Sequence, residues 1–219
     1  MSNSLMQRSN RTQLFDRWAE HYDASLTSTD GDFPFDGYEH ILGEIVALAE
    51  VRPGMRVLDL GIGTGNLAQL FVQQECEVWG VDFSAEMLAK ARVKLPQVHL
   101  VQANLLTDWP ADIPPTFDRI VSAYVLHEFT LEAKIAVLRR ATQYLAPDGV
   151  ILIGDIAFQS VAIREATIQR VYGDSWDEDE WYWAADEAIA ACKNTGLHLE
   201  YRQLSSCGGI FALIAQKGD

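Results

Sequence analysis

From about residue 56 onward, short apolar runs alternate with stretches whose apolar positions recur at helical spacing, and turn residues separate them. The runs at 56–60, 77–81, 98–102, 117–123 and 150–155 read as strands. The segments 65–74, 85–94 and 130–145 read as helices, with Ser84 and Thr130 as N-caps and Glu132 near a positive N-terminal end. Pro53-Gly54 and Pro147-Asp148-Gly149 read as turns. Strand and helix in regular alternation specify a doubly wound α/β fold, a mainly parallel sheet with helices on both faces. In such a sheet ligands sit beyond the carboxyl ends of the strands.

The two ends of the chain depart from this rhythm. Phe15, Trp18, Ala19 and Tyr22 fall at helical spacing, which predicts an amphipathic helix over 12–23. A polar loop follows over 25–36, and then a second helix over 37–50. At the far end, 198–204 and 210–216 read as strands joined by Ser205-Ser206-Cys207-Gly208-Gly209, which puts an antiparallel strand at the end of the sheet. The 219 residues suit one domain, with 1–50 as a helical cover and 51–219 as the core. Before the last strands, Tyr172, Trp176, Trp181, Tyr182 and Trp183 interleave with Asp174, Asp177, Glu178, Asp179 and Glu180. Two readings stay open there: aromatics packed on the sheet with solvated acids, which ordinary burial statistics favour, or a lid around a cationic substrate.

Charge narrows the partners. Seventeen basic against thirty-one acidic residues leave a net charge of −14, a field that repels phosphate backbones, and no run of Lys and Arg offsets it. Nucleic acid is therefore not expected as a partner, and a small-molecule substrate is. Cys76, Cys192 and Cys207 are scattered without a C-x-x-C pair, which argues against a disulfide framework and against a zinc site, so no metal is expected. The polar start and the absence of a long apolar run predict neither a secretory signal nor a membrane span, hence a cytoplasmic protein.

The most informative segment is Asp59-Leu60-Gly61-Ile62-Gly63-Thr64-Gly65-Asn66, where a strand runs into three alternate glycines and then a helix. Glycines admit close approach to the main chain, and the helix start behind them offers free N–H groups to an anion, carboxylate as well as phosphate. A dinucleotide site needs G-x-G-x-x-G, and its third glycine would fall at Asn66. Asp59 would repel a pyrophosphate but suits the ammonium of an amino-acid moiety. The pattern therefore favours S-adenosylmethionine over a nicotinamide dinucleotide. Asp82 ends the next strand, twenty-one residues past Gly61, where a carboxylate can accept both ribose hydroxyls, and Phe83 would lie against the adenine.

With these residues the chain resembles the class I S-adenosylmethionine-dependent methyltransferases, small bacterial members in particular, over most of its length. The family's glycine motif is matched by Asp59 to Gly65 and its ribose acid by Asp82. Gln102-Ala103-Asn104 stands where the family has an acid for the adenine amino group; Asn104 can still accept that bond through its amide oxygen. The resemblance implies strand order 3-2-1-4-5-7-6 with the seventh strand antiparallel. It also implies N-terminal helices that close over the cofactor, here the segment around Trp18 and Tyr22, with Tyr22 reaching the carboxylate end.

Methyl transfer from a sulfonium is an in-line displacement with a good leaving group, so the enzyme mainly aligns reactants in a dry pocket. A base is needed only for a protonated nucleophile. The methyl-facing segment is Ser122 to Glu128, with Ser122 beside the cofactor and His127 as the candidate base; a hydrogen-bonded histidine without catalytic duty is the competing reading. Asp155, ending the fifth strand, and Tyr22 are further pocket candidates. The exit Ser122-Ala123-Tyr124-Val125 lacks the Asn/Asp-Pro-Pro-Tyr/Phe signature of enzymes that methylate base amines, and no Pro-Cys pair is present. The expected function is methyl transfer to a small molecule. A non-catalytic S-adenosylmethionine sensor and an NAD(P)-dependent oxidoreductase are the alternatives.

Overall fold

A computed structural model describes residues 33–109, 113–171, 180–193 and 195–214. Strands β1 (Arg56–Leu60), β2 (Glu77–Asp82), β3 (His99–Gln102), β4 (Phe117–Ala123), β5 (Leu145–Phe158), β6 (Trp183–Ala184), β7 (Leu199–Gln203) and β8 (Gly208–Ile214) form the sheet. Helices α1 (Tyr38–Ala49), α2 (Asn66–Gln73), α3 (Ala85–Lys94), α4 (Leu131–Ala141), α5 (Val161–Val171) and α6 (Ala185–Lys193) flank it. The strand order is β3-β2-β1-β4-β5-β8-β7, and β6 pairs with β5 off that path. Apart from the added two-residue β6, this is the expected order: β7 takes the sixth place and β8 the seventh. β8 is antiparallel to both β5 and β7, while β1 to β5 pair in parallel.

Alternation along β5 shows how the sheet supports two cores. Leu152, Ile156 and Phe158 join one cluster, with Ile41, Leu42 and Ile45 of α1 and Leu67 and Phe71 of α2. Ile151, Ile153 and Ala157 join the other, with Ile135 and Leu138 of α4 and Ala188 and Cys192 of α6. Such double-sided burial is what a near-continuous apolar strand requires. The period of two assigns each residue its face.

Two local expectations need correction. The helix expected over 130–145 stops at Ala141, and a 3-10 turn covers Thr142–Tyr144. The turn expected at Pro147-Asp148-Gly149 is instead an irregularity inside one strand: Leu145 pairs with Phe117, and regular pairing resumes at Val150 against Arg119. The ladder starts early because Leu145 finds a partner across the sheet, and tertiary pairing overrides a local turn signal. The caps agree with the sequence: the Ser84 hydroxyl accepts from the Met87 N–H at 3.2 Å, and the Thr130 hydroxyl from Ala133 at 3.4 Å. The helix expected over 12–23, with Trp18 and Tyr22, lies outside the described residues, as do Tyr172 to Asp179.

Candidate active site

The carboxyl ends of β1 and β2 build the first half of the site. Gly61 and Ile62 donate their N–H groups to the Val81 carbonyl at 2.7 and 3.0 Å, which folds the glycine loop back over β2. The loop glycines serve different ends. A Cβ on Gly61 would lie 2.5 Å from the Val125 side chain, so this glycine lets the β4 exit pack against the loop. A Cβ on Gly63 would meet nothing within 4 Å, so Gly63 faces open space and its positive φ of 55° keeps the backbone bare toward it. Gly65 sits at the N-cap of α2, without a side-chain cap over the helix start.

Two buried carboxylates flank this bare backbone. Asp82 accepts from the Gly63 N–H at 2.8 Å through Oδ2 and from the Ser84 N–H at 2.9 Å through Oδ1. Burial raises the Asp82 carboxyl above the ordinary range, against the pull of the Ser84, Gly63 and Phe83 N–H groups. Asp59 is 1% exposed, and its Oδ2 has no hydrogen-bond partner among the described residues. Burial first, then the charge of Asp82, pushes the Asp59 carboxyl up to about 8, against an opposing Ala68 N–H. A buried acceptor left unpaired costs about 1–3 kcal/mol, the kind of debt that a bound cation or donor relieves. Phe83, 36% exposed, stands at the rim, and its carbonyl accepts from the Gln102 side chain at 3.0 Å. Asn104 Oδ1, the atom expected to accept from the adenine amino group, accepts from the Leu106 N–H at 2.9 Å and closes a local turn.

Ser122 has a different duty from the one its position suggested. It is fully buried, and its hydroxyl donates to the Leu60 carbonyl at 2.7 Å, which ties the end of β4 to the end of β1. Tyr124 follows with φ of 55°, a conformation that strains a bulky residue. Its N–H donates to the Gly154 carbonyl at 2.9 Å, and its ring packs at 4.9 Å on Tyr38 and at 5.6 Å on Phe35. The strained turn carries the chain from β4 into the 3-10 turn Leu126–Glu128.

That turn and the end of β5 build the second half. His127 and Asp155, independent candidates in the sequence, form a pair: Nδ1 lies 2.7 Å from Asp155 Oδ1, and the His127 N–H donates to Oδ2 at 2.9 Å. The Ile156 N–H and the Trp183 indole N–H complete the carboxylate's partners at 2.9 and 3.0 Å. For Asp155, burial would raise the pKa, but the His127 charge and hydrogen bond, with Lys134 and Trp183, hold it below the ordinary range. For His127, burial acts to lower the pKa, and Asp155, Glu128 and Glu180 together raise it above the ordinary value.

One residue that the sequence analysis did not single out completes this cluster. Lys134 is 2% exposed, donates to the Trp181 carbonyl, and lies 4.4 Å above the Trp183 ring. Burial brings its amine down to about 7. The sequence did carry a signal: Leu131, Lys134, Ile135 and Leu138 share one helical face, so Lys134 falls in an apolar stripe. Trp183 packs on Phe211 at 4.6 Å and Tyr182 is buried, so two of the insertion's aromatics belong to the core while Trp181 is half exposed.

Comparison with known proteins bears on this arrangement directly. Residues 57–149, which hold the glycine loop and Asp82, match the Methyltransferase domain family. An uncharacterized methyltransferase of Alkaliphilus oremlandii is 34% identical over 165 residues, 74% of each chain. The chain belongs to the class I S-adenosylmethionine-dependent methyltransferase family. An uncharacterized methyltransferase of Geobacillus kaustophilus is 30% identical over 211 residues, 93% of this methyltransferase and 96% of that one. Among solved structures, a complex of DhpI with SAM and HEP has a similar fold, with a TM-score of 0.71 at 19% identity over 97% of this methyltransferase and 99% of that chain. No described helix is long and apolar enough to cross a membrane.

Proposed function

We propose that this chain, as a single domain whose residues 1–50 cover the core, transfers a methyl group from S-adenosylmethionine to a small-molecule acceptor by in-line displacement. The observation that carries the reading is Asp59: a buried carboxylate oxygen without a partner, beside a glycine turn that opens at Gly63. The donor supplies its methyl on a sulfonium, which leaves without acid assistance. Asp59 receives the ammonium of the donor's amino-acid end, the Gly63 backbone lies along that end, Asp82 accepts from the ribose hydroxyls, and Phe83 and Asn104 border the adenine. His127, fixed by Asp155 through Nδ1, presents Nε2 to the acceptor and is the atom able to take its proton. Tyr22 belongs to the proposed cover. The net charge of −14 and the absent base-methylation signature support a small acceptor rather than nucleic acid.

The direct test is calorimetric binding of S-adenosylmethionine, its demethylated product and NAD, followed by turnover with metabolite pools and methyl-labelled donor. Donor binding with NAD ignored, and label appearing in a small molecule, is the expected result. Tight donor binding without label in any pool would leave a sensor; NAD binding in its place would overturn the reading.

Two narrower predictions belong here. Asp82→Ala should weaken donor binding by about 1.5–3 kcal/mol, because it removes a charged acceptor from the ribose hydroxyls. The same carboxylate steadies the Gly63 N–H, so the loss should exceed that in Phe83→Leu. Parent-like affinity in Asp82→Ala would remove the ribose assignment.

The second concerns protons. Without the donor Asp59, with its pKa raised to about 8, holds a proton at neutral pH, while an ammonium partner favours the ionised form. Donor binding near pH 7 should therefore release close to one proton, and affinity should fall as pH drops below about 8. Calorimetry in buffers of different ionisation enthalpy counts the protons. Release that is absent at pH 7, or unchanged in Asp59→Asn, contradicts the ammonium assignment.

A further inference from the structure

We infer that His127, Glu128 and Glu180 form a binding site for one divalent metal ion. Each offers one ligand atom, and the three atoms lie within 4.8 Å of one another, the one such group among the described residues. The cysteine spacing that argued against zinc says nothing about a site made of imidazole and carboxylates.

Four observations support the assignment. First, the histidine is prepared for a metal. Asp155 already accepts three other N–H groups, and its 2.7 Å contact with Nδ1 fixes the ring so that Nε2 faces the two glutamates. A carboxylate on the far nitrogen of a metal-bound histidine is the usual way such a ligand is oriented.

Second, Glu180 is brought to the site by its neighbours. The Trp181 N–H donates to the His127 carbonyl at 2.6 Å, Lys134 holds the Trp181 carbonyl, and the Tyr182 hydroxyl bonds Glu180 itself. A backbone held at the residue after the acid, and a hydroxyl on the acid itself, restrict where Glu180 can point, as pre-organised ligation requires.

Third, the spacing suits an ion better than a proton. Nε2 lies 3.6 Å from Glu128 Oε1, beyond hydrogen-bond length, whereas the protonated contact on the other nitrogen has closed to 2.7 Å. Ligands about 2.1 Å from a tetrahedral ion stand roughly 3.4 Å apart. Fourth, the His127 and Glu128 side chains are only 10% and 14% exposed. An ion held there would be largely shielded from water, where its attraction to carboxylates is stronger.

One imidazole and two carboxylates suit manganese, iron(II), cobalt or zinc and leave coordination positions open. An acceptor that presents oxygen, a hydroxyl or a carboxylate, fits those positions; the ion would lower the pKa of a hydroxyl so that its proton passes to water, in place of transfer to Nε2. This last step rests on the methyl-transfer reading above; the ion site itself does not.

The experiment uses the full chain, stripped by chelator and titrated with Mn2+ alone, with the free ion followed by electron paramagnetic resonance, and with Zn2+ by calorimetry. One ion per chain is expected. Glu180→Gln and His127→Asn should each weaken it tenfold or more, while Glu132→Gln, on the exposed face of α4, should not. Circular dichroism checks that each variant is folded. If one variant fails to fold the other decides, and if both fail, the Nε2 resonance of His127 in the parent shifts with Zn2+ or does not. No binding at millimolar ion, affinity unchanged in the variants, or a His127 ring that stays doubly protonated and indifferent to Zn2+ overturns the site and leaves an imidazolium paired with its glutamates. Donor binding measured on the same samples separates the two readings: an ion bound by a chain that ignores S-adenosylmethionine leaves this site standing and removes the donor assignment.

Discussion

A Gly63→Val chain should remain folded and lose S-adenosylmethionine binding by roughly two orders of magnitude or more, since a branched side chain would occupy the path proposed for the donor along bare backbone. Space allows the change within the protein, because a Cβ at Gly63 meets nothing within 4 Å. The positive φ of 55° costs about 1–2 kcal/mol in any L-residue, which a domain of this size tolerates. Gly61→Val makes the informative contrast. There the Cβ falls 2.5 Å from Val125, so overpacking of about 1–3 kcal/mol adds to the conformational cost. Urea titration should therefore show Gly61→Val as the less stable variant, and calorimetry should show Gly63→Val as folded but unable to bind. Parent-like affinity in Gly63→Val would sink the cradle.

Removing the Asp155 carboxylate should cost more stability than any other single change proposed for this chain. Asp155→Ala leaves the His127, Ile156 and Trp183 N–H groups without their acceptor and the Lys134 charge without its counterpart, all in a fully buried place. Breaking a buried ion pair from one side typically costs about 3–5 kcal/mol. Denaturant midpoints measure it, and a loss below about 1 kcal/mol would mean the pair contributes little.

The pH dependence follows from the direction of each shift. The depressed Asp155 pKa makes its contribution present above the unfolded value of about 3.9 and lost as pH falls through the folded one. The raised His127 pKa makes its contribution complete below the unfolded value of about 6.5 and lost as pH rises through the folded one. The stability difference between the parent and His127→Asn should thus be largest between the two unfolded values, about pH 3.9 to 6.5, and shrink on either side as pH approaches the folded-state values. A difference independent of pH would assign the stability to packing instead.

Much of the proposed donor half of the site was legible as a local arrangement because its parts are neighbours in sequence. Asp59, Gly61, Gly63 and Gly65 occupy seven consecutive positions, and Asp82 ends the adjacent strand, so one strand–turn–helix unit and one parallel pairing place them all. The N-cap at Ser84 and the bounds of β1 and β4 were legible for the same reason. Ser122 shows the limit. Its place at the end of β4 was correct, but the Leu60 carbonyl sixty-two residues earlier decides what its hydroxyl does.

The sequence by itself determined the alternating α/β architecture, the glycine turn with its two acids and the antiparallel tail, because periodicity, caps and turn chemistry act over a few residues. Only the tertiary structure decided the rest. It joined His127 to Asp155 across twenty-eight residues, buried Lys134 over Trp183, and set Glu180 beside Glu128. It also drew Leu145 into a ladder against the turn signal of the following Pro-Asp-Gly. Each of these contacts depends on closing a long loop and excluding water, and no local window of residues encodes either.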